Sequence, residues 1–150
     1  MDRLFYDELK RVIGEIARDN FDRAKAMRVI RACELVMKYA IAARKYGLLK
    51  LEDEIVNLNM RSIEKCLHEL IVLVLDGTDH ENVEDIGWSL FFSQGFSAYE
   101  GLIYLIYLKG ALIIQFGESQ GIAEKKLKAM LPEEILAMIP DPMEEEPFAD

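Results

Sequence analysis

The sequence predicts an all-α fold, a single-domain helical bundle of about six to seven helices. Three observations predict it. Apolar residues recur at helical spacing along nearly the whole chain. Cap and break signals punctuate them at Asp19-Asn20, Gly47, Asp76-Gly-Thr-Asp, Gly95 and Gly117. No stretch alternates apolar and polar residues with a hairpin turn behind it. One domain suits 150 residues, and 51% hydrophobic residues suffice for a core. The bundle is expected over residues 1–139, with an acidic, proline-containing tail at 140–150 that stays disordered unless a partner holds it.

The first helix is expected over 3–18, with Leu4, Phe5, Leu9, Val12, Ile13 and Ile16 on one stripe. Asp19-Asn20 offers a break and a new cap. The second helix runs over 22–46, with Val29, Ile30, Cys33, Val36, Met37 and Ala40 toward the core. Gly47 suits a left-handed C-terminal position, and Arg44 and Lys45 complement the negative helix end. A third helix is expected over 50–75, opened by the acidic triplet Glu52, Asp53, Glu54. Thr78 with Glu81 reads as a capping box, so a fourth helix starts near Asp79 and stops near Gly95. Residues 97–116 form a helix apolar nearly all round, the expected centre of the bundle. A short helix over 121–131 carries Lys125, Lys126 and Lys128, and Pro132 opens a last one.

Charge and composition narrow the function classes. A net charge of −9 argues against a nucleic acid or an anionic membrane as partner. It permits a basic protein partner, and equally serves solubility alone. The apolar stretch 101–117 has Lys109 near its middle, and a lysine there costs about 3 kcal/mol on insertion. A buried core helix is therefore expected rather than a membrane span. The N-terminus lacks the basic start and unbroken apolar run of a signal peptide, so the expected location is cytoplasmic. Cys33 and Cys66 sit within helical patterns and read as buried free thiols.

The chemistry-bearing residues form no recognisable catalytic set, so neither an enzyme nor a cofactor or metal is expected. His68 and His80 belong to no ligand spacing. The segment from Asp76 lacks the ligand positions and central glycine of a calcium loop. Cys66 and His68 are two apart on a helix and face different ways. There is no nucleophile elbow and no phosphate-binding glycine loop. The rings at 91, 92, 96, 99, 104 and 107 could line a ligand pocket, although aromatic core packing explains such a cluster too.

Three blocks, in order, resemble the flagellar stator A subunit (motility protein A, MotA) family. The first is Ala42-Ala-Arg-Lys-Tyr-Gly-Leu-Leu-Lys-Leu-Glu-Asp-Glu. The second is Val74-Leu-Asp-Gly-Thr-Asp with Val83-Glu-Asp-Ile. The third is Gly110-Ala-Leu-Ile-Ile-Gln-Phe-Gly-Glu-Ser with Glu124-Lys-Lys-Leu-Lys-Ala-Met-Leu-Pro. The resemblance spans roughly residues 34–86 and 101–132. In that family the first two blocks precede the third membrane helix and the third follows the fourth; here only Gly87–Tyr99 separates them. Gly117-Glu-Ser-Gln-Gly also replaces the family's Gly-Glu-Asn-Pro-Arg.

The resemblance implies a chain built from the cytoplasmic parts of a stator subunit, without its proton pathway and so without ion conduction. It also implies a protein partner, the flagellar rotor switch protein, which family stators push with charged residues. Those residues map to Arg44 and Glu52, at the charged tip between the second and third helices. Two rival readings are a ligand-binding or enzymatic bundle using the aromatic-rich 88–107 region, and a self-assembling module in which a second copy covers the 97–116 helix.

Overall fold

The computed structural model describes residues 3–139, and among these the fold is all-α. Eight helices follow one another: α1 (Arg3–Arg18), α2 (Arg23–Tyr46), α3 (Lys50–Glu54), α4 (Glu64–Leu75), α5 (His80–Gln94), α6 (Ala98–Phe116), α7 (Gln120–Lys128) and α8 (Glu133–Leu136). A single 3₁₀ turn, Ile55–Asn57, follows α3. The expected acidic tail at 140–150 lies outside the described residues.

The expected third helix over 50–75 is two helices with an irregular bridge. Leu58 turns extended. The Asn59 side chain then accepts a bond from the Arg61 amide at 3.0 Å, and Ser62 Oγ accepts one from the Glu64 amide at 3.2 Å. The Asn59 amide itself donates to Glu64 Oε1 at 2.9 Å. Short polar side chains thus take over backbone partners that a continuous helix would supply. This split accounts for eight helices in place of six to seven.

Three cap assignments also change. Asp22, two residues beyond Asn20, caps α2 through a 3.1 Å bond from the Lys25 amide. Asp79, not Thr78, caps α5, accepting from the Asn82 amide at 2.9 Å. A carboxylate offers the stronger acceptor, and Asp79 already has the extended backbone an N-cap needs. Gly47 has a positive φ of 89°, but its ψ of 163° is not the left-handed helical value. The chain leaves α2 extended there, a conformation reserved for glycine.

Helix α6 is the axis of the bundle, and side chains along nearly its whole length are buried. It is the one described helix long and apolar enough to cross a membrane, and here its surface is covered by neighbouring helices. Helix α1 runs antiparallel to it, with Val12 against Gly101 and Lys109 Nζ 4.8 Å from the Phe5 ring and 5.4 Å from that of Tyr6. Those aromatic faces explain how a lysine is tolerated mid-helix. Helix α2 runs parallel to α6, with Arg28 paired to Glu100 at one end, Val36 against Gly110 in the middle and Arg44 bonded to Gly117 at the other. Helix α5 runs antiparallel, with Gly87 against Leu108 and Phe91 5.5 Å from Tyr104.

Both cysteines are buried free thiols, as their helical positions predicted. Burial foremost, then Glu34, pushes the Cys33 thiol from 9.0 up to about 12. Burial also raises Cys66. Between pH 9 and 12 the unfolded chain releases the Cys33 proton while the folded chain keeps it. Stability is therefore full below pH 9 and falls as pH rises, by up to ~1.4 kcal/mol per pH unit for this group. Urea midpoints measured from pH 8 to 10.5 should decline accordingly, and Cys33→Ala should flatten the decline. A slope unchanged by the substitution would contradict this assignment.

Candidate functional site

The tip begins where Gly47 ends α2. Leu48 and Leu49 cross to α3, and Lys50, Leu51 and Glu52 each donate an amide three residues back. Leu51 is the anchor, fully buried against the core. Pinning the short α3 by that one leucine forces its neighbours outward. Leu49 is 71% exposed and Tyr46 62% exposed, with Leu48 also exposed.

Arg44 and Glu52 are both exposed at this tip. Arg44 is nevertheless engaged: its Nη1 donates to the carbonyl of Gly117, the left-handed residue that terminates α6. The guanidinium thus supplies a donor to a helix end that has spare carbonyls. Glu52 sits in the first turn of α3, where a carboxylate is favoured by the helix dipole. The acidic triplet divides. Glu52 and Asp53 face solvent, whereas Glu54 turns inward and is only 1% exposed.

The three sequence blocks singled out above meet at this end of the bundle. Arg44 of the first binds Gly117 of the third. Gln115 Nε2 of the third donates to the Thr78 carbonyl of the second at 2.6 Å. Phe116, 58% exposed, lies against the His80 ring with centroids 5.3 Å apart. Tyr46, Leu48, Leu49 and Phe116 therefore put exposed apolar area at one end of the molecule. Arg44, Lys45, Glu52 and Asp53 intersperse it with charge. Sequence reading found the charges and missed the apolar residues. The available signal was Tyr46-Gly-Leu-Leu-Lys, where a glycine turn leaves too few residues for all three large side chains to reach the core.

The aromatic-rich region is arranged differently from a single lined pocket. Phe96 stacks on Tyr104 at 5.2 Å, Phe91 packs on both, and the Tyr104 hydroxyl donates to the Gly87 carbonyl. Phe92 is exposed and stacks on Trp88 at 6.0 Å. The Tyr99 hydroxyl accepts from the Asp22 amide at 3.2 Å. Tyr107 points to a separate cleft beside α2. The rings thus diverge onto different neighbours. Among the described residues, no group of three or more His, Cys, Asp or Glu is placed to hold a metal ion.

No family model matches this chain, and neither the curated proteins nor the solved structures contain a match to it.

Proposed function

We propose that this chain is a cytoplasmic, stator-like protein-interaction module that docks a partner through the tip of α2 and α3, the partner being the flagellar rotor switch protein. One observation carries the reading. The three blocks that resemble the stator A subunit, separate in sequence, are tied to one another at one end of the bundle through Arg44–Gly117 and Gln115–Thr78. That end also presents exposed apolar side chains among charges, the composition of a protein-docking patch. The apolar residues would supply affinity, and Arg44 and Glu52 register and steering. Ion conduction forms no part of the proposal.

Deletion of the gene should impair swimming in soft agar. Wild-type protein should restore it, whereas Leu49→Asp, a change at an exposed position with little folding cost, should not. Unchanged swimming on deletion would contradict the proposal. The rival ligand-binding reading keeps one supporting observation, the Tyr107-lined cleft beside α2.

A further inference from the structure

A cleft of about 420 Å³ lies between one face of α2 and the 57–64 bridge, with α6 as its floor. Its size is that of a small-metabolite site. Leu35, Ile63 and Ile103 give it an apolar interior, and Arg28, Arg31 and Lys38 line its α2 side at helical spacing.

Most charges here are already matched. Arg28 is held by Glu100 at 2.7 Å, and Lys38 and Lys50 cover the buried Glu54 carboxylate at 3.6 and 3.9 Å. Glu64 Oε1 takes the Asn59 amide at 2.9 Å. With those partners counted, Arg28, Arg31, Lys38 and Lys50 stand against Glu54, Glu64 and Glu100, which leaves one cation in excess on a chain of net charge −9. Arg31 is the unmatched one: it is exposed, and among the described residues no carboxylate or carbonyl engages it.

Tyr107 is the second unmatched group. It is only 3% exposed, yet its hydroxyl has no hydrogen-bond partner among the described residues. That oxygen is not sealed in. The buried side-chain atoms left without a partner are Glu54 Oε2, Trp88 Nε1, Gln115 Oε1 and Glu118 Oε2, so the phenol oxygen opens on the cleft that its ring lines. Burial foremost, then Glu64, raises the phenol above its ordinary range, with Arg28 opposing them, and it stays a neutral donor.

Parallel packing brings Arg31 and Tyr107 to the same place. The bonds Arg28–Glu100 and Arg44–Gly117 join α2 to residues 72 and 73 positions later in α6. In that register Arg31 lies level with Ile103, and Leu35 with Tyr107, and all four line the cleft. Arg31 and Tyr107 are thus about one helical turn apart, roughly 6 Å along the axis. Because the helices are parallel, both side chains lean toward the same end and keep that separation. Arg28, a further turn along α2, is already near enough to act on the phenol. A carboxylate between the two groups takes a donor at about 2.8 Å on each side, which spans the gap.

We propose that this cleft binds a small organic monocarboxylate with an apolar body, its carboxylate held between the Arg31 guanidinium and the Tyr107 hydroxyl and its body against Leu35, Ile63 and Ile103. One excess cation matches one negative charge, which favours a carboxylate over a phosphate dianion. The site uses no residue of the docking tip, so either reading can fail alone.

Carboxylates matched with their neutral amides test it. The full chain would be titrated calorimetrically with phenylacetate and isovalerate, each beside its amide, and with phenyl phosphate. At least one carboxylate should bind about 10-fold more tightly than its amide, and more tightly than phenyl phosphate. Arg31→Ala, at an exposed position, should erase the preference for carboxylate over amide while the urea midpoint stays put. Tyr107→Phe keeps the ring, so it should weaken carboxylate binding about 3–10-fold while the urea midpoint holds or rises, the lost hydroxyl having had no partner within the protein. Absence of carboxylate binding up to about 10 mM, equal binding of carboxylate and amide, tighter binding of phenyl phosphate, or binding indifferent to either substitution would overturn the proposal. A lowered midpoint in Tyr107→Phe would overturn it too, by showing that the hydroxyl is engaged within the fold.

Discussion

Replacing Gly110 with alanine is expected to destabilise the bundle by about 1–2 kcal/mol, although alanine is the better helix former. A Cβ at Gly110 would lie 2.5 and 2.7 Å from the two γ-methyls of Val36 and 3.1 Å from its Cβ. Helix propensity returns roughly 1 kcal/mol. Overpacking costs about 1–3 kcal/mol, and valine in a helix has one strongly preferred rotamer with which to yield. The clash wins because a Cβ cannot move without its backbone, so α2 and α6 must part. Val36→Ala should recover much of the loss when combined with Gly110→Ala, giving a coupling term in a double-mutant cycle. Gly14→Ala provides the contrast. It lies within α1 with nothing near the added carbon, so it should stabilise by up to about 1 kcal/mol. Urea denaturation of the four variants checks these signs. A stabilising Gly110→Ala would mean that the two helices are not in close contact.

The second large effect concerns Glu54. Removing both Lys38 and Lys50 as methionines leaves an uncompensated buried carboxylate, an arrangement that costs on the order of 3–5 kcal/mol. Lys50→Met alone should matter least, because that side chain is 30% exposed and forms an i,i+4 pair on a short helix. Lys38→Met should cost more, its side chain being only 13% exposed. Adding Glu54→Gln to the double variant should restore most of the stability, since the amide carries no charge to desolvate. A double variant that loses less than about 1 kcal/mol would show that water already reaches the carboxylate.

Where the sequence carried strong local signals, the fold was legible. The stripe from Phe5 to Ile16, the stop at Gly95 and the all-round apolar run of 97–116 each gave an element with nearly its observed bounds. The break at 58–63 was not legible. Asn59 and Ser62 interrupt a helix through particular hydrogen bonds rather than by forbidding it, as proline would. Ile55, Leu58 and Ile63 fit a helical stripe equally well, so periodicity offered no warning.

The site was partly legible for the same kind of reason. Arg44 and Glu52 could be placed at a helix junction from Gly47 and the local charges alone. The bond from Arg44 to Gly117 could not, because it depends on α2 and α6 running parallel. Glu54 looked like its exposed neighbours Glu52 and Asp53. Its burial is set by Leu51, which fixes the rotation of α3, and by Lys38 on a different helix.

The most direct measurement on the docking tip is a pull-down of purified rotor switch protein by the full chain, with wild type beside Arg44→Glu, Glu52→Lys. Both positions are exposed. Since Arg44 also caps α6, circular dichroism and the urea midpoint of the double variant must first show that it is folded. The account predicts capture by wild type and its loss in the folded double variant. A folded wild type that captures no switch protein, or a charge reversal that leaves capture unchanged, would contradict it.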